Sequence, residues 1–309
     1  MSHIAGAELG RMQGSCVGYG IASDLPFVTV RDGGGTPLYV DERRGLGQLG
    51  TLVLEWLPRP GNPFHGRLYQ EDGVYAFWSS DAGWFRIDPE EPSVSVSPTS
   101  DPFRRELRLF GVPVALCAFA AGDITIHASA IEVDGQAILF AGPTRYGKTT
   151  LAAAFARAGH RLLTEDSTRC RVSSVPAVYP GPAALRLRTD VATSITIPGT
   201  TIGGTYDDRI ALVVDREQRG QGTPVPLRMI VVPRLGPDAP SLAPISVPDA
   251  VRDLMALTFR PPFAESRATA FARVAEVASR VEMLDLTRQM TMESLDDIVA
   301  LVERRLSGS

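Results

Sequence analysis

The chain has 309 residues, 44% of them hydrophobic and 21% charged, which is the balance of a packed globular protein. Its formal net charge of −4 disfavours non-specific binding to nucleic acid or to an anionic membrane. The longest apolar run, residues 112–121, is too short for a bilayer span, which needs about 20 residues. We therefore expect neither a nucleic-acid partner nor a membrane partner.

The N-terminal sequence and the cysteines both predict a cytoplasmic location. Residues 1–10 lack the basic and then apolar pattern of a signal peptide. Cys16, Cys117 and Cys170 have no metal-ligand spacing, so we expect reduced thiols in the core. A disulfide scaffold and a zinc module are both disfavoured.

The first third of the chain is rich in Gly, Pro and aromatic residues. Alternating apolar stretches at 27–30 and 74–78 predict short strands, and turn clusters separate them. The turn clusters lie at residues 32–35, 58–63 and 81–83. Residues 89–102, rich in Pro and Ser, predict a linker. We therefore divide the chain into a small β-rich N-terminal module, residues 1–101, and a second domain, residues 102–309.

The second domain alternates strands and helices, which predicts an α/β core. Helices are predicted at residues 104–121 (interrupted around Pro113), 151–158, 247–257, 268–280 and 295–306. Strands are predicted at residues 124–126, 130–133, 137–140, 160–164, 210–214 and 229–232. Asp134-Gly135 predicts a hairpin turn, and the polar, Gly-rich segment 193–206 predicts a mobile loop or a substrate lid.

Residues 142–149 match the phosphate-binding pattern G-x-x-x-x-G-K-[ST], with an apolar strand before it and a helix after it. In such a loop the backbone N–H groups surround phosphates. Lys148 neutralises the β- and γ-phosphates, and the Thr149 hydroxyl is a ligand for Mg²⁺. The predicted nucleotide-binding residues are Gly142, Pro143, Thr144, Arg145, Tyr146, Gly147, Lys148, Thr149 and Thr150.

The only lysine of the chain lies in this motif. Lys and Arg total 31, and all except Lys148 are arginine. A generic positive charge is therefore written as Arg in this sequence, so a lysine at 148 indicates a need for a compact ammonium group.

Two acidic positions follow predicted strands. Glu165 and Asp166 end the strand after the loop helix, which we expect one strand over from the loop, where one carboxylate can hold Mg²⁺ while the other accepts a proton. Asp215 follows the strand at 210–214 as a second, Walker B-type candidate, although an ordinary loop residue is the preferred interpretation there. Arg186, Arg188 and Arg209 are candidates for stabilising transition-state charge.

Three segments together resemble one known family. They are residues 126–130 (Ile-His-Ala-Ser-Ala), the phosphate-binding loop and residues 159–166 (Gly-His-Arg-Leu-Leu-Thr-Glu-Asp). They resemble the HPr kinase/phosphorylase fold, especially the shorter HPr-kinase-like serine kinases found beside bacterial peptide-modification genes, including lasso-peptide clusters. Weaker similarity at residues 19–26, 179–182 and 254–306 extends it over most of the chain. The implied fold is a P-loop core with a mixed sheet and flanking helices.

The resemblance also implies roles for individual residues. Glu165 aligns with the first carboxylate of the family's Asp-Asp pair, the proposed base, and Asp166 with the second, which lies near the metal. His127 aligns with a histidine near the transferred phosphate, and Lys148 with the lysine that holds it. Glu165 departs from the family pattern, which has Asp at this position. The extra methylene of Glu would move the carboxylate by about 1 Å, a displacement that alters proton transfer.

The leading hypothesis is a kinase that uses ATP and Mg²⁺, with GTP left open, to phosphorylate a Ser or Thr hydroxyl of a peptide or small protein. The N-terminal module would recognise that substrate, and the resemblance points to lasso-peptide-type biosynthesis. The alternatives are a small-molecule alcohol kinase, a nucleotidyl transferase or a nucleotide-gated binding protein. We expect no phosphorylase activity. Hexameric members of the family make a homo-oligomer an expectation to test.

Overall fold

The computed structural model describes residues 10–59, 63–206, 208–236 and 239–308. They form a mixed α/β structure with three sheets, and no helix within these ranges has the length and apolar character that a membrane span requires. Three parts of the sequence that were interpreted above lie outside the described residues. They are the first nine residues, the middle of the turn cluster at 58–63, and residue 207.

The N-terminal part forms an eight-stranded sheet in the order β1-β2-β3-β8-β7-β6-β5-β4. Its strands are β1 (Met12–Cys16), β2 (Tyr19–Ala22), β3 (Thr36–Glu42), β4 (Thr51–Trp56), β5 (Gly66–Glu71), β6 (Val74–Ser79), β7 (Gly83–Asp88) and β8 (Ser93–Val96). The β-rich character expected of this part is therefore present. The three cysteines of the chain are free and buried, as predicted.

The predicted linker at residues 89–102 is wrong in its central part. β8 lies within it and pairs with β3 on one side and β7 on the other. Its Ser-Val-Ser-Val sequence has the period of two of a half-buried strand, and Val94 and Val96 are buried. The flanking prolines obscured this short alternation.

Two short helices follow, α1 (Pro102–Leu109) and α2 (Val112–Ala120), and they confirm the predicted interruption near Pro113. The Asp101 side chain caps α1 by accepting a hydrogen bond from the Arg104 backbone N–H at 2.9 Å. Leu109 and Val114 pack in the same hydrophobic cluster as the N-terminal sheet. The division of the chain at residue 101 stays a prediction.

The remaining elements form a nine-stranded sheet, a three-stranded sheet and their helices. The strands are β9 (Ile124–Ile126), β10 (Ala128–Val133), β11 (Gln136–Ala141), β12 (Arg161–Thr164), β13 (Thr168–Arg171), β14 (Ala177–Val178), β15 (Ala184–Arg188), β16 (Thr200–Tyr206), β17 (Arg209–Val214), β18 (Val225–Leu235), β19 (Ser241–Pro244) and β20 (Glu282–Arg288). The helices are α3 (Lys148–Arg157), α4 (Thr189–Ser194), α5 (Val247–Leu257), α6 (Ala264–Ala278) and α7 (Leu295–Ser307).

The large sheet runs β12-β10-β11-β18-β14-β13-β9, with β20 beside β18 and β19 beside β20. β18 pairs in parallel with both β11 and β20. The other pairings in the sheet are antiparallel. β10 and β11 join through Asp134-Gly135, both with positive φ, as a two-residue hairpin turn requires.

Both faces of the central strand β11 are buried. Ile138 and Phe140 point into one hydrophobic cluster, which contains residues of α3 and α7. Leu139 and Ala141 point into a second cluster, which contains residues of α5 and α6. Because successive side chains alternate between the faces of a strand, this strand reads as a continuous apolar run in the sequence.

The mobile loop predicted at residues 193–206 is wrong, because this segment contains the end of α4 and all of β16. β16 pairs with β17, whose other neighbour is β15. Most side chains of β16 are exposed, and a bulge interrupts its register between Ile202 and Gly204. An exposed edge strand with glycines has the polar composition that suggested a loop.

Candidate active site

The register of three strands brings the predicted site residues to one edge of the large sheet. Ala128 of β10 pairs with Ala141 of β11, and Ala130 of β10 pairs with Thr164 of β12. Because β10 is antiparallel to both neighbours, β11 and β12 end at the edge where β10 begins. His127, the loop after β11 and the acids after β12 therefore meet there. β10 lies between β11 and β12, so the acids are two strands from the loop, not one as predicted.

The loop at residues 142–147 passes directly from β11 into α3. Gly147 has φ +78 and precedes the first helical residue, Lys148, a conformation that favours glycine. A Cβ at position 147 would also overlap the guanidinium of Arg288. Gly147 is thus required both by its backbone conformation and by a close neighbour.

The other loop residues differ in their exposure. Gly142 is buried, whereas Pro143, Thr144 and Arg145 are exposed. Tyr146 and Thr150 are half-buried. The loop therefore presents its backbone to solvent at the N-terminus of α3, where the helix dipole favours an anion.

The ammonium group of Lys148 lies beneath this loop. The residue is 6% exposed, and its Nζ donates a hydrogen bond to the Pro143 carbonyl oxygen at 3.0 Å. Burial lowers the pKa of Lys148, and the nearby carboxylates of Asp166 and Glu165 oppose this effect. Arg209 adds to the lowering through charge repulsion. The lysine is therefore held inside the site by contacts on several sides.

His127 connects this lysine to Asp166. Its Nε2 lies 3.1 Å from Lys148 Nζ, and because an ammonium group has only donors, Nε2 is the acceptor. Nδ1 lies 3.2 Å from Asp166 Oδ1 and 3.0 Å from the Asp166 carbonyl oxygen. The hydrogen bonds thus assign the ring proton to Nδ1 and join Asp166, His127 and Lys148 in one chain.

Arg186 joins the two acids. Its Nε donates to Glu165 Oε2 and its Nη2 to Asp166 Oδ2, both at 2.8 Å. The Glu165 charge is the largest cause that raises the pKa of Arg186. Burial would raise the pKa of Asp166, but Arg186 and His127 outweigh it and hold that pKa well below its usual range. Asp166 is therefore charged at neutral pH.

Asp166 adopts an uncommon backbone conformation, with φ +71. Asp tolerates the left-handed region better than most residues, although it is sparsely populated. This tight turn directly follows Glu165, and the two carboxylates both reach Arg186.

The second oxygen of Glu165 contacts the start of α3. Thr149 Oγ1 donates a hydrogen bond to Glu165 Oε1 at 2.9 Å, so Glu165 contacts the motif at residues 142–149 directly. Mg²⁺ prefers oxygen ligands and usually keeps several waters beside one or two carboxylates. Thr149 and Asp166 supply oxygen donors of this kind, so these two residues fit the ion, and Glu165 remains the candidate base. No group of three or more metal-binding His, Cys, Asp or Glu side chains occurs among the described residues.

The candidate arginines separate clearly in space. Arg186 lies at the acids, and Arg209 donates to the Arg186 carbonyl oxygen at 3.0 Å. Arg188 is exposed and pairs with Asp190 instead. Asp215 follows the far end of β17, six residues from Arg209, or about 20 Å along an extended strand. Its backbone N–H donates to Gly199. The structure does not bring Asp215 to the loop.

Arg288 is a charged residue near the site that the sequence interpretation missed. It ends β20 and is 1% exposed, and its Nη2 lies 3.4 Å from the Tyr146 carbonyl oxygen. Its Nε has no hydrogen-bond partner in the described part of the chain, and burial lowers its pKa. It places positive charge behind the loop. The apolar residues Met283, Leu284 and Leu286 could have indicated its strand.

Comparisons with known proteins give little beyond this geometry. No family model matches the chain, and no curated protein matches it. Among solved structures it is similar to the HPr(Ser) kinase/phosphatase from Coxiella burnetii, with 13% sequence identity and a TM-score of 0.34. The match covers 59% of this chain and 97% of that one. A likeness this distant carries no argument, so the side-chain geometry must support any function.

Proposed function

We propose that the chain is a kinase that transfers the γ-phosphoryl group of ATP or GTP, with Mg²⁺, to an alcohol hydroxyl. The observation that carries this proposal is the direct contact between the loop and the acids. Thr149 donates to Glu165, and Lys148 reaches Asp166 through His127. Binding of a nucleotide with Mg²⁺ uses one metal-binding acid beside the loop threonine, so the second acid is available to accept a proton.

In the proposed step, the acceptor oxygen forms a bond to the γ-phosphorus while the bond between that phosphorus and the β-phosphate oxygen breaks. The acceptor proton passes to the Glu165 carboxylate, and the nucleoside diphosphate leaves. Loop N–H groups and Lys148 hold the phosphates. Thr149 and Asp166 hold Mg²⁺, which supplies charge neutralisation when bound. Arg186 is the arginine placed to offset transition-state charge.

We propose further that the acceptor is a Ser or Thr side chain of a peptide or small protein. Residues 1–101 would then contribute to acceptor recognition, and residues 102–309 would carry catalysis. The family resemblance of residues 126–166 supports this version and its place in lasso-peptide-type biosynthesis. The same resemblance supports a homo-oligomer, and the three free, buried cysteines support a cytoplasmic location.

Replacing Glu165 with Gln tests the proposal. We expect Glu165→Gln to lower phosphoryl transfer from γ-labelled ATP to a pool of Ser and Thr peptides by about 10²–10⁴-fold, the usual contribution of general base catalysis. Nucleotide affinity, measured by equilibrium dialysis, stays unchanged. Asp215→Asn is the matched control, because that carboxylate lies outside the site, and it keeps full activity. Greater loss in Asp215→Asn than in Glu165→Gln would refute the proposal.

A further inference from the structure

A cavity of about 390 Å³ lies beside the two acids. Its polar end contains His127, Glu165, Asp166 and Arg186. The other walls are mainly apolar, and their aromatic members are Trp56, Phe64, Phe77, Phe110 and Phe259. Ligand pockets are commonly apolar with a few convergent polar groups, and this volume falls near the small end of their range of about 300–1,000 Å³. The cavity therefore suits a small molecule or one or two side chains.

The acids stand between this cavity and the nucleotide-binding loop. Glu165 contacts Thr149, yet it also lines the cavity, whereas none of residues 142–149 does. A group in the cavity thus meets the acids without passing through the loop. Phosphoryl transfer needs the attacking and leaving oxygens roughly in line across the phosphorus. An acceptor in a space separate from the loop is compatible with this requirement.

We propose that this cavity is the acceptor site, and that it selects an alcohol whose hydroxyl lies beside a bulky apolar group. This inference rests on the proposed kinase function and names its substrate class. The apolar group packs among the aromatic residues, and the hydroxyl meets Glu165. Its oxygen then bonds to the γ-phosphorus as in the step above, with the proton passing to Glu165.

The apolar wall is built by both parts of the chain. Trp56 and Phe77 belong to β4 and β6 of the N-terminal sheet, whereas Phe110 lies between α1 and α2 and Phe259 follows α5. The N-terminal sheet therefore takes part in the acceptor site directly, through its side chains. A cavity of this size admits a flexible segment or a free alcohol and excludes the surface of a folded protein.

Two short peptides test the selection. They carry one Ser and differ only in the next residue, Phe or Ala, and 3-phenylpropan-1-ol serves as a free alcohol with the same ring. With ATP and Mg²⁺, we expect transfer to the Phe peptide to have a kcat/KM at least about tenfold above that of the Ala peptide. Transfer to the free alcohol in place of the Phe peptide assigns the same cavity to a small-molecule acceptor. Equal rates for the two peptides and no transfer to the alcohol would overturn the proposal.

Variants of the wall test the location. Ala256 is exposed and lines the cavity, so Ala256→Phe reduces its volume with little risk to folding. Ala272 of α6 is also exposed but does not line it, and Ala272→Phe is the matched control. We expect Ala256→Phe to raise the KM for the Phe peptide about tenfold with the KM for ATP unchanged. Identical behaviour of Ala256→Phe and Ala272→Phe would overturn the assignment.

Binding separates failure of this inference from failure of the kinase function. The affinity of the Phe peptide is measured by fluorescence anisotropy in the presence of a non-hydrolysable ATP analogue. Binding that is lost in Ala256→Phe and kept in Glu165→Gln supports the cavity even when no transfer occurs, and in that case only the kinase function fails. Transfer by the wild type with equal peptide binding in all variants refutes the cavity alone.

Discussion

The two sides of the carboxylate pair are built in different ways. On the loop side, His127 and residues 142–166 form most of the contacts, and they are separated by fewer than 40 positions in the sequence. On the cavity side, the wall draws on residues between 56 and 259 and on both parts of the chain. The proposed phosphate site thus depends on residues that are close in the sequence, whereas the proposed acceptor site depends on how distant elements pack.

The change that we expect to reduce phosphoryl transfer most acts on the loop side and leaves the cavity intact. Lys148→Met removes the ammonium group that contacts Pro143 and His127, and we expect phosphoryl transfer to fall by about 10³-fold, as for loss of a preorganised transition-state contact. Lys148→Arg is the matched charge-preserving variant. We expect it to fail as well, because a planar guanidinium does not replace a compact ammonium group in a buried site.

The cavity side provides the control for this experiment. Binding of the Phe peptide, measured as above, should survive in Lys148→Met because Lys148 does not line the cavity. Folding should also survive, since burial of the charged lysine is unfavourable, as its lowered pKa indicates. Equal loss of peptide binding and transfer would show that the two sides are not separable.

This difference also explains how far the sequence could predict the structure. The loop, the helix after it and the acids at 165 and 166 are local patterns, and register then places His127 beside them. The pairing of Arg186 with both acids could not be chosen from 30 arginines, because it depends on β15 packing near the end of β12. The cavity has no sequence signal, since aromatic residues such as Trp56 and Phe259 look like ordinary core residues.

Behind the loop, Gly147 lies close to the guanidinium of Arg288. Gly147 and Gly159 both have positive φ, at +78 and +97, but only a Cβ at 147 meets a neighbour, the guanidinium of Arg288. We expect Gly147→Ala to lower the free energy of unfolding by about 1–3 kcal/mol from strained conformation and further from this overlap. Gly159→Ala carries the conformational cost alone, so urea denaturation of the two variants isolates the contact.

A double-mutant cycle with Arg288→Met measures the contribution of this contact. In an Arg288→Met background, the cost of Gly147→Ala should approach that of Gly159→Ala, because the longer guanidinium no longer occupies the space near Gly147. Residues in contact commonly show coupling of about 0.5–3 kcal/mol. An unchanged cost of Gly147→Ala would mean that Arg288 does not restrict the loop.

The change that we expect to have the least effect is at Asp166, where the loop side and the cavity side meet. Arg186 and His127 hold the pKa of Asp166 well below its usual range. An unfolded Asp has a pKa of about 3.9, so between the two values the unfolded chain binds more protons. Stability from Asp166 is therefore fully present above about pH 5 and is lost as the pH falls through about 4 and below. Asp166→Asn should flatten this part of the curve, measured by urea denaturation from about pH 2.5 to 7 with EDTA.

Asp190 supplies the matched control for that experiment. It also pairs with an arginine, Arg188, but its side chain is 66% exposed, against 44% for Asp166. Exposed ion pairs contribute little to stability and are screened by salt, so the pH profile of Asp190→Asn should follow the wild type. If Asp166→Asn also followed the wild type, the bridge of Arg186 and His127 would not hold the site together in the absence of nucleotide. The acids would then be free to reorganise between the loop and the cavity, and the separation of the two sides would rest on the wall residues alone.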